Sequence, residues 1–591
     1  MMTSCRALPL VAVVLAVTCA TAQPVPVKFA TVADLCAATG LKPDVPIVVA
    51  GYRQADDGGG GTFRYDPASA KDADGGAVLA PSKLPGRLHR VVDPEEDAYA
   101  EWFGAYGDGD SAAPHDDHAA INACLRAYGR VKLMAKTYGV RGKPQPYNPA
   151  ITHNAIDLGP HYRIIGSGRD RTTVKLLDGT NPHGAPGGSN YFIMLYNRQF
   201  HESADYVVIS DFTIDCNFDQ QDKQATIHAI GIRGGGATVE RLNLRGYGTG
   251  RQRPEGFSRE CFVIHQTLVY KDRKGCRRAG TYRDLDFTGC GHNGGIGLPI
   301  GEITHLAVGG ADNFDNKSWI MPGGADPDWD PANGGENANN WWPSYGGLIE
   351  NCFIHDEVYD PPTQQSPLNG FTYGDSIGLT IRGNRVENWE GCAVFTMSWW
   401  NQDTTIVDNV FRNVTLGVAL NMAGQDGKPI QCPHHDGVLI AHNTIETGSD
   451  PDAPWGACGI SLYGADMPAT LRMKDIHIRE NTISGRAFLN RKGDKSCPIG
   501  IKIQILRAVY TGIRIEDNVF DLPDCNATAW VPQEPNGLAL MYYPLALWDE
   551  AVKQGHVYYR NNRSKDGKLL YPALVDWYMK NAPVAGKMPG Q

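Results

Sequence analysis

The chain has 591 residues, of which 42% are hydrophobic and 20% charged, and its formal net charge is −10. This is a globular composition, too apolar for a disordered chain, and the acidic balance gives no electrostatic footprint for nucleic acid. The length allows several domains unless the chain repeats, since a solenoid absorbs such a length as one body.

In chain order, Met1 to Arg6 carries positive charge, Ala7 to Ala20 is apolar, and Ala20-Thr21-Ala22 precedes Gln23. The pattern reads as a cleaved secretory signal over 1–22, and the expected location is secreted or periplasmic. The weaker alternative, a lipoprotein through Cys19, lacks the usual leading Leu. The apolar run is too short to span a membrane, and no later stretch reaches eighteen apolar residues. Cleavage leaves twelve of fourteen cysteines at scattered spacings, either paired as disulfides or buried as small hydrophobes. Asn316, Asn413, Asn526 and Asn562 head N-x-[ST] sequons.

Residues 23–97 form a Gly-, Asp- and Pro-rich leader expected to be β-rich. Its four glycines Gly58 to Gly61 read as a mobile hairpin tip, because no helix with Lys follows to make a phosphate loop. Then come Phe103-Gly104-Ala105-Tyr106-Gly107-Asp108-Gly109 and a helix capped by Asp116 or Asp117, with Ile121, Cys124 and Leu125 on one face. A strand follows, ending near Thr137-Tyr138-Gly139-Val140. This F-G-A-x-G-D-G phrase, the helix with Ala-Ala-Ile-Asn-Ala and the Thr-Tyr strand resemble the opening of the pectate-lyase-like right-handed parallel β-helix superfamily. The leader is similar to those of its lyase-type and tailspike-like members. The resemblance implies an all-β solenoid with an N-terminal capping helix over 98–570, followed by a tail over 571–591, and a carbohydrate-active function.

The second half of the chain repeats a phrase of an apolar doublet, an Asn and a second apolar pair. Its copies centre on Asn351, Asn384, Asn409, Asn443, Asn481, Asn518 and Asn562, spaced 33, 25, 34, 38, 37 and 44 residues apart. Such spacings mark solenoid coils, and the Asn is expected at a bend, bonding the backbone and stacking on the Asn of the next coil. A second strand precedes it, and alternation sends Val418, Leu420, Ile460, Leu462, Ile501 and Ile503 inward. Asn421, Ser461, Tyr463, Lys502 and Gln504 point outward. The insertions 309–345 and 425–437 read as projecting loops, where such folds place function.

A flat face of parallel strands flanked by loops suits a long glycan. Residues 233–283 carry twelve Lys or Arg against four acids, a local balance of +8, whereas 302–408 carries sixteen acids against three bases. A basic surface beside an acidic one can hold a polyanionic sugar with a bridging cation, or the charges simply compensate one another between coils. Asp326, Asp328 and Asp330 place carboxylates at i, i+2 and i+4 in a loop and are the candidate Ca2+ ligands. Arg233 and His265 end strands on the expected trough and suit a lyase, which needs a base for the proton α to a uronate carboxylate. Asp375 and Glu390 could instead supply the paired carboxylates of a glycoside hydrolase. Trp341, Trp342, Trp399, Trp400 and Tyr463 offer flat faces for sugar rings, with Lys502 for an anionic group. No ordered N-T-D, D-D and G-H-G set of the polygalacturonate-hydrolysing β-helix enzymes is present. The leading expectation is an exported polysaccharide lyase acting on an acidic glycan; a glycoside hydrolase and a non-catalytic adhesive solenoid are the alternatives, with uronate epimerases also open.

Overall fold

The computed structural model describes residues 25–144, 152–180, 190–198, 202–221, 225–249, 260–267, 278–289, 302–309, 344–356, 369–374, 376–389, 391–396, 400–421, 434–448, 457–464, 472–486, 488–489, 495–496, 498–505, 509–522, 538–543 and 557–569. The chain forms two compact units, one up to Glu96 and one from Asp97.

In the first unit, β1 (Val27–Thr31), α1 (Val32–Ala37), β2 (Ile47–Gly51), β3 (Gly61–Asp66), β4 (Val78–Leu79) and β5 (Arg87–Arg90) make one sheet in the order β1-β2-β3-β5-β4 with a short helix. Alternating Ile47, Val49, Phe63, Tyr65, Leu79 and Leu88 bury one face against Val32 and Leu35 of α1. The glycine tip between β2 and β3 is fastened rather than loose. Asp57 accepts backbone N–H bonds from Tyr52, Arg53, Gln54 and Gly59. Burial raises the Asp57 pKa, but those four donors outweigh it and the net shift is downward. Arg90, stacked 4.5 Å over Phe63, donates to the carbonyls of Gly59 and Gly60 at 3.0 and 2.6 Å.

The second unit begins with a 3-10 turn, Ala100–Phe103, and α2, His118–Tyr128, whose Ile121, Cys124 and Leu125 are buried as the sequence predicts. Asp117 stands at the N-cap, but its carboxylate turns back to accept the N–H groups of Tyr106 and Gly107 at 2.6 and 3.1 Å. The acidic residue that accepts the His118 N–H, at 3.2 Å, is Asp116. Buried Asn122 ties the helix to the strand Thr152–Leu158, donating to Ala155 O at 2.7 Å and accepting from Asp157 N at 2.7 Å.

Among the described residues, the rest of this unit winds through three sheets of 21, 13 and 6 strands, whose coil-to-coil pairings are parallel. Each coil hydrogen-bonds the equivalent strand of the next. The chain is therefore a parallel β-helix, whose coils bury together an apolar face that none could bury alone. The inward positions Val418, Leu420, Ile460, Leu462, Ile501 and Ile503 are fully buried.

The asparagine stack runs through the 21-stranded sheet as the sequence predicts. Asn384, Asn409, Asn443, Asn481 and Asn518 each donate Nδ2 to Oδ1 of the next Asn at 2.9–3.0 Å, the last reaching Asn562. Each also donates to a carbonyl of the preceding coil, Asn443 to Ile406 O at 2.9 Å for example. One copy of the phrase is displaced by a residue. Ile349 pairs with Ile381 and Ile354 with Val386, so Cys352 and not Asn351 occupies the stack, its N–H donating to Asn384 Oδ1 at 2.9 Å. Asn351 takes the preceding left-handed position, φ 52°, where Gly383 stands in the next coil. The sequon residue Asn562 lies inside the stack and is fully buried. The cysteines at 36, 124, 216, 261, 352, 392 and 458 are not joined in disulfides, and all but Cys36 are buried, as expected of small hydrophobes.

Among the described residues of the basic stretch, three arginines meet acids of neighbouring coils. Arg241 meets Asp211 at 2.6 Å, Arg245 meets Asp215 at 3.1 Å and Arg283 meets Glu240 at 2.5 Å, each one coil apart and in register. Arg382 and Glu350 repeat the arrangement at 2.6 Å. These pairs compensate charge between coils, and as half-exposed ion pairs each contributes about 0–1 kcal/mol.

Candidate functional site

The 13-stranded sheet carries the site. Its first coils are the strands Thr152–Leu158, Asn190–Asn197, Ala225–Arg233, Glu260–Thr267 and Glu302–Gly309. Inward residues Ile156, Leu195, Ile230 and Ile264 stand in register and are fully buried. Alternation therefore turns the next residue of these strands to the outer face, giving the column Asp157, Tyr196, Gly231 and His265, with Ala307 the next position in register. Arg233 lies two residues beyond Gly231 on the same face.

Arg233 and His265, predicted separately from strand ends, are thus brought together. They are not open to solvent as a trough position would require: Arg233 is 3% and His265 4% exposed. Burial, then the charges of His228 and Arg233, depresses the His265 pKa well below the usual imidazole value, so its ring is neutral. Buried His228, in register with Asn154 and Ile193, whose side chains reach Asp157 and Gly231, is pushed down to about 4 by the same desolvation, which the backbone of Phe262 only partly offsets.

Sequence reasoning missed three members of the column. Asp157 is buried and held by Lys143 Nζ at 2.6 Å, with Arg126 at 3.8 Å and Asn154 Nδ2 at 3.1 Å. Tyr196 is buried beside it. Gly231 is the reason Tyr196 fits: a β-carbon there would lie 2.6 Å from Cδ2 and 3.0 Å from Cε2 of the Tyr196 ring. The ring therefore lies across Gly231, between its own strand and His265. A glycine inside the strand run Ala229-Ile230-Gly231-Ile232-Arg233 was the available signal, since such a residue marks a close approach.

Arg198, next after Asn197, pairs with Glu202 at 2.6 Å, a bond that raises its pKa. Asn197 clamps the end of the Arg233 strand, accepting from Arg233 N at 2.9 Å and donating to Arg233 O at 2.8 Å. A carboxylate, a phenol, a neutral imidazole and a guanidinium thus share one desolvated face, where charge interactions act far more strongly than in water.

Further along the same face the column passes Thr372, Phe395, Ala419, Ser461 and Lys502. Lys502 and Tyr463 point outward and are partly exposed, as predicted. Trp400 stands in the strand Trp400–Gln402 in register with His434, in the six-stranded sheet rather than this one. Trp341, Trp342, Trp399, Asp375, Glu390, Asp326, Asp328 and Asp330 lie outside the described residues. Among the described residues no group of three or more His, Cys, Asp or Glu could hold a metal, and no helix is long and apolar enough to cross a membrane.

The family described as Phage tail protein small four-stranded beta-sheet domain matches residues 28–93, within the leader. No curated protein matches the chain by sequence. Among solved structures the chain is similar to the A-module of the mannuronan C-5 epimerase AlgE6 of Azotobacter vinelandii, with 14% identity, TM-score 0.35, and coverage of 80% of this chain and 100% of that one. It is similar also to PfbA, a surface adhesin of Streptococcus pneumoniae, at 14% identity and TM-score 0.44, over 72% of this chain and 87% of that one. A third is tailspike protein gp49 of the Acinetobacter baumannii bacteriophage Fri1, a capsular polysaccharide depolymerase, at 11% identity and TM-score 0.43, over 94% and 78% of the two chains. None of these likenesses assigns a residue or an activity to this chain.

Proposed function

We propose that the protein is a carbohydrate-active β-helix that cleaves an acidic polysaccharide by β-elimination on the 13-stranded sheet, with Tyr196, His265 and Arg233 as the reacting groups; these side chains are buried, so the reading requires the substrate to displace what packs over them. The observation that carries the reading is the phenol of Tyr196 laid across Gly231, with a neutral imidazole in register on the far side. A uronate unit there presents its carboxylate to Arg233. His265 takes the proton from C5, the C4–C5 double bond forms as the C4–O bond breaks, and Tyr196 returns a proton to the departing glycosidic oxygen.

Desolvation is the main cause of the depressed His265 basicity, followed by the charges of His228 and Arg233; a bound carboxylate offsets the Arg233 charge and relieves that part of the depression. Export, calcium at Asp326, Asp328 and Asp330, and glycan contacts at Tyr463 and Lys502 belong to the same reading. Incubation with pectate, alginate and glycosaminoglycans, followed by the ultraviolet absorbance of unsaturated uronate, tests it. The expected result is a rise with one of these polymers that His265→Ala abolishes. New reducing ends without that absorbance would sink the elimination and favour hydrolysis.

A further inference from the structure

Where a coil leaves a corner to enter the 21-stranded sheet, one register position is left-handed in most coils: Gly236, Gly346, Gly378, Gly437 and Gly512 in five and Asp403 and Asp475 in two, with φ between 51° and 77°, while Ala279 holds it in the coil between Gly236 and Gly346 without a left-handed backbone. Glycine takes this conformation freely and Asp and His tolerate it, whereas an aromatic residue such as Tyr is uncommon there. Two successive early coils nonetheless place aromatic rings at it: His161 with φ 59° and Tyr206 with φ 58°, in register. Neither ring fills the core. Tyr206 is 46% exposed, His161 is exposed, and the two stack with centroids 5.3 Å apart and planes 13° from parallel. A strained conformation kept at a surface position, where glycine serves elsewhere in the same fold, points to a use for the side chains.

The stack adjoins the site just described. Ala204 N donates to Arg233 O at 2.7 Å, Tyr206 N to Gly235 O at 2.8 Å, and His161 N to Asp205 O at 2.7 Å. Tyr162, next to His161, lies within electrostatic reach of Arg198, Glu202 and Asp157. The paired rings therefore stand at the corner directly past the end of the Arg233 strand.

We propose that His161 and Tyr206 form a stacking subsite for a pyranose ring of the glycan, holding the sugar next to the one whose carboxylate Arg233 binds. Flat, exposed, mutually braced rings receive the C–H face of a sugar, and their fixed stacking leaves little side-chain freedom to lose on binding. The subsite rests on the reading of the ligand as a glycan and not on the elimination chemistry.

Glycine occupies this position in five other coils, so the double variant His161→Gly, Tyr206→Gly removes the rings while relieving the backbone. The experiment titrates purified hexamers of alginate and pectate into wild type, the double variant and Tyr206→Phe by calorimetry, with circular dichroism as the check on folding and turnover measured in parallel. In the folded double variant affinity is expected to fall at least tenfold, with KM raised and kcat unchanged, and in Tyr206→Phe affinity and KM are expected to persist. Equal affinity in wild type and double variant overturns the subsite, as does a wild type that binds neither hexamer. Binding by wild type without unsaturated product, lost in the double variant, refutes elimination and upholds the subsite. Turnover with an unaltered KM in the double variant does the reverse.

Discussion

Replacing Asn443 by alanine cuts the asparagine stack at its middle. The side chain makes four hydrogen bonds: Oδ1 accepts from Asn409 N at 3.0 Å and Asn409 Nδ2 at 2.9 Å, while Nδ2 donates to Ile406 O and Asn481 Oδ1, both at 2.9 Å. Its loss strips two buried backbone groups, Ile406 O and Asn409 N–H, of their side-chain partner. At about 1–3 kcal/mol for each buried polar group left unmade, the cost is about 2–6 kcal/mol. Nearest-neighbour coupling makes such a break count, because the coils on either side lose their docking surface together. Urea unfolding followed by far-ultraviolet circular dichroism measures it, with Glu446→Ala, exposed in the strand Thr444–Thr447, as the control expected to stay within about 0.5 kcal/mol of wild type. A loss for Asn443→Ala under about 1 kcal/mol would refute the assignment of the stack as the internal brace.

Three further outcomes are expected. Cys352→Asn extends the stack by one coil, since Tyr282 O lies 3.8 Å from Cys352 Sγ where the new amide would donate, and the variant should unfold at equal or higher urea concentration; a lower midpoint would contradict the register. Gly231→Ala forces the Tyr196 ring aside and should lower kcat about a hundredfold, the scale of an ångström's misplacement, with the fold intact by circular dichroism. The same loss in a Tyr196→Phe background would show that the glycine acts by another route. His355 lies between Asp286 at 3.1 Å and Asp356 at 2.8 Å; burial lowers its pKa, but the two carboxylates outweigh it and the net shift is upward. Its contribution to stability is therefore full below about pH 6.5, the ordinary imidazole value, and lost as the pH rises through the higher folded-state value. The Tm gap between wild type and His355→Gln should be wider at pH 5.5 than at pH 8.5; a gap independent of pH would remove the charged bridge.

The architecture was legible because a buried amide stack demands the same residue at the same place in every coil, and Asn409, Asn443, Asn481 and Asn518 supply it. The slip at Asn351 has a physical origin: the left-handed position before the stack also favours Asn, so one letter fits two adjacent roles. Arg233 and His265 could be read as strand ends, but the asparagine phrase starts only at the later coils, and without it nothing in the sequence aligns the strands of Asp157, Tyr196 and Gly231. Burial was illegible for the same reason, since it depends on what packs over a face and not on alternation within one strand. Charge compensation in the basic stretch was illegible residue by residue, because Arg241 and Arg283 meet acids thirty or more residues away, in register only after the coils are wound.

Elimination and hydrolysis part at a single proton. Proton NMR of a cleaved uronate polymer, with the reaction run in deuterated water, follows the C5–H directly. Cleavage by wild type is expected to remove that signal at the new non-reducing end and replace it with a C4 vinyl proton, and Gly231→Ala to slow both changes together. Cleavage that retains the C5–H at every new end would contradict it.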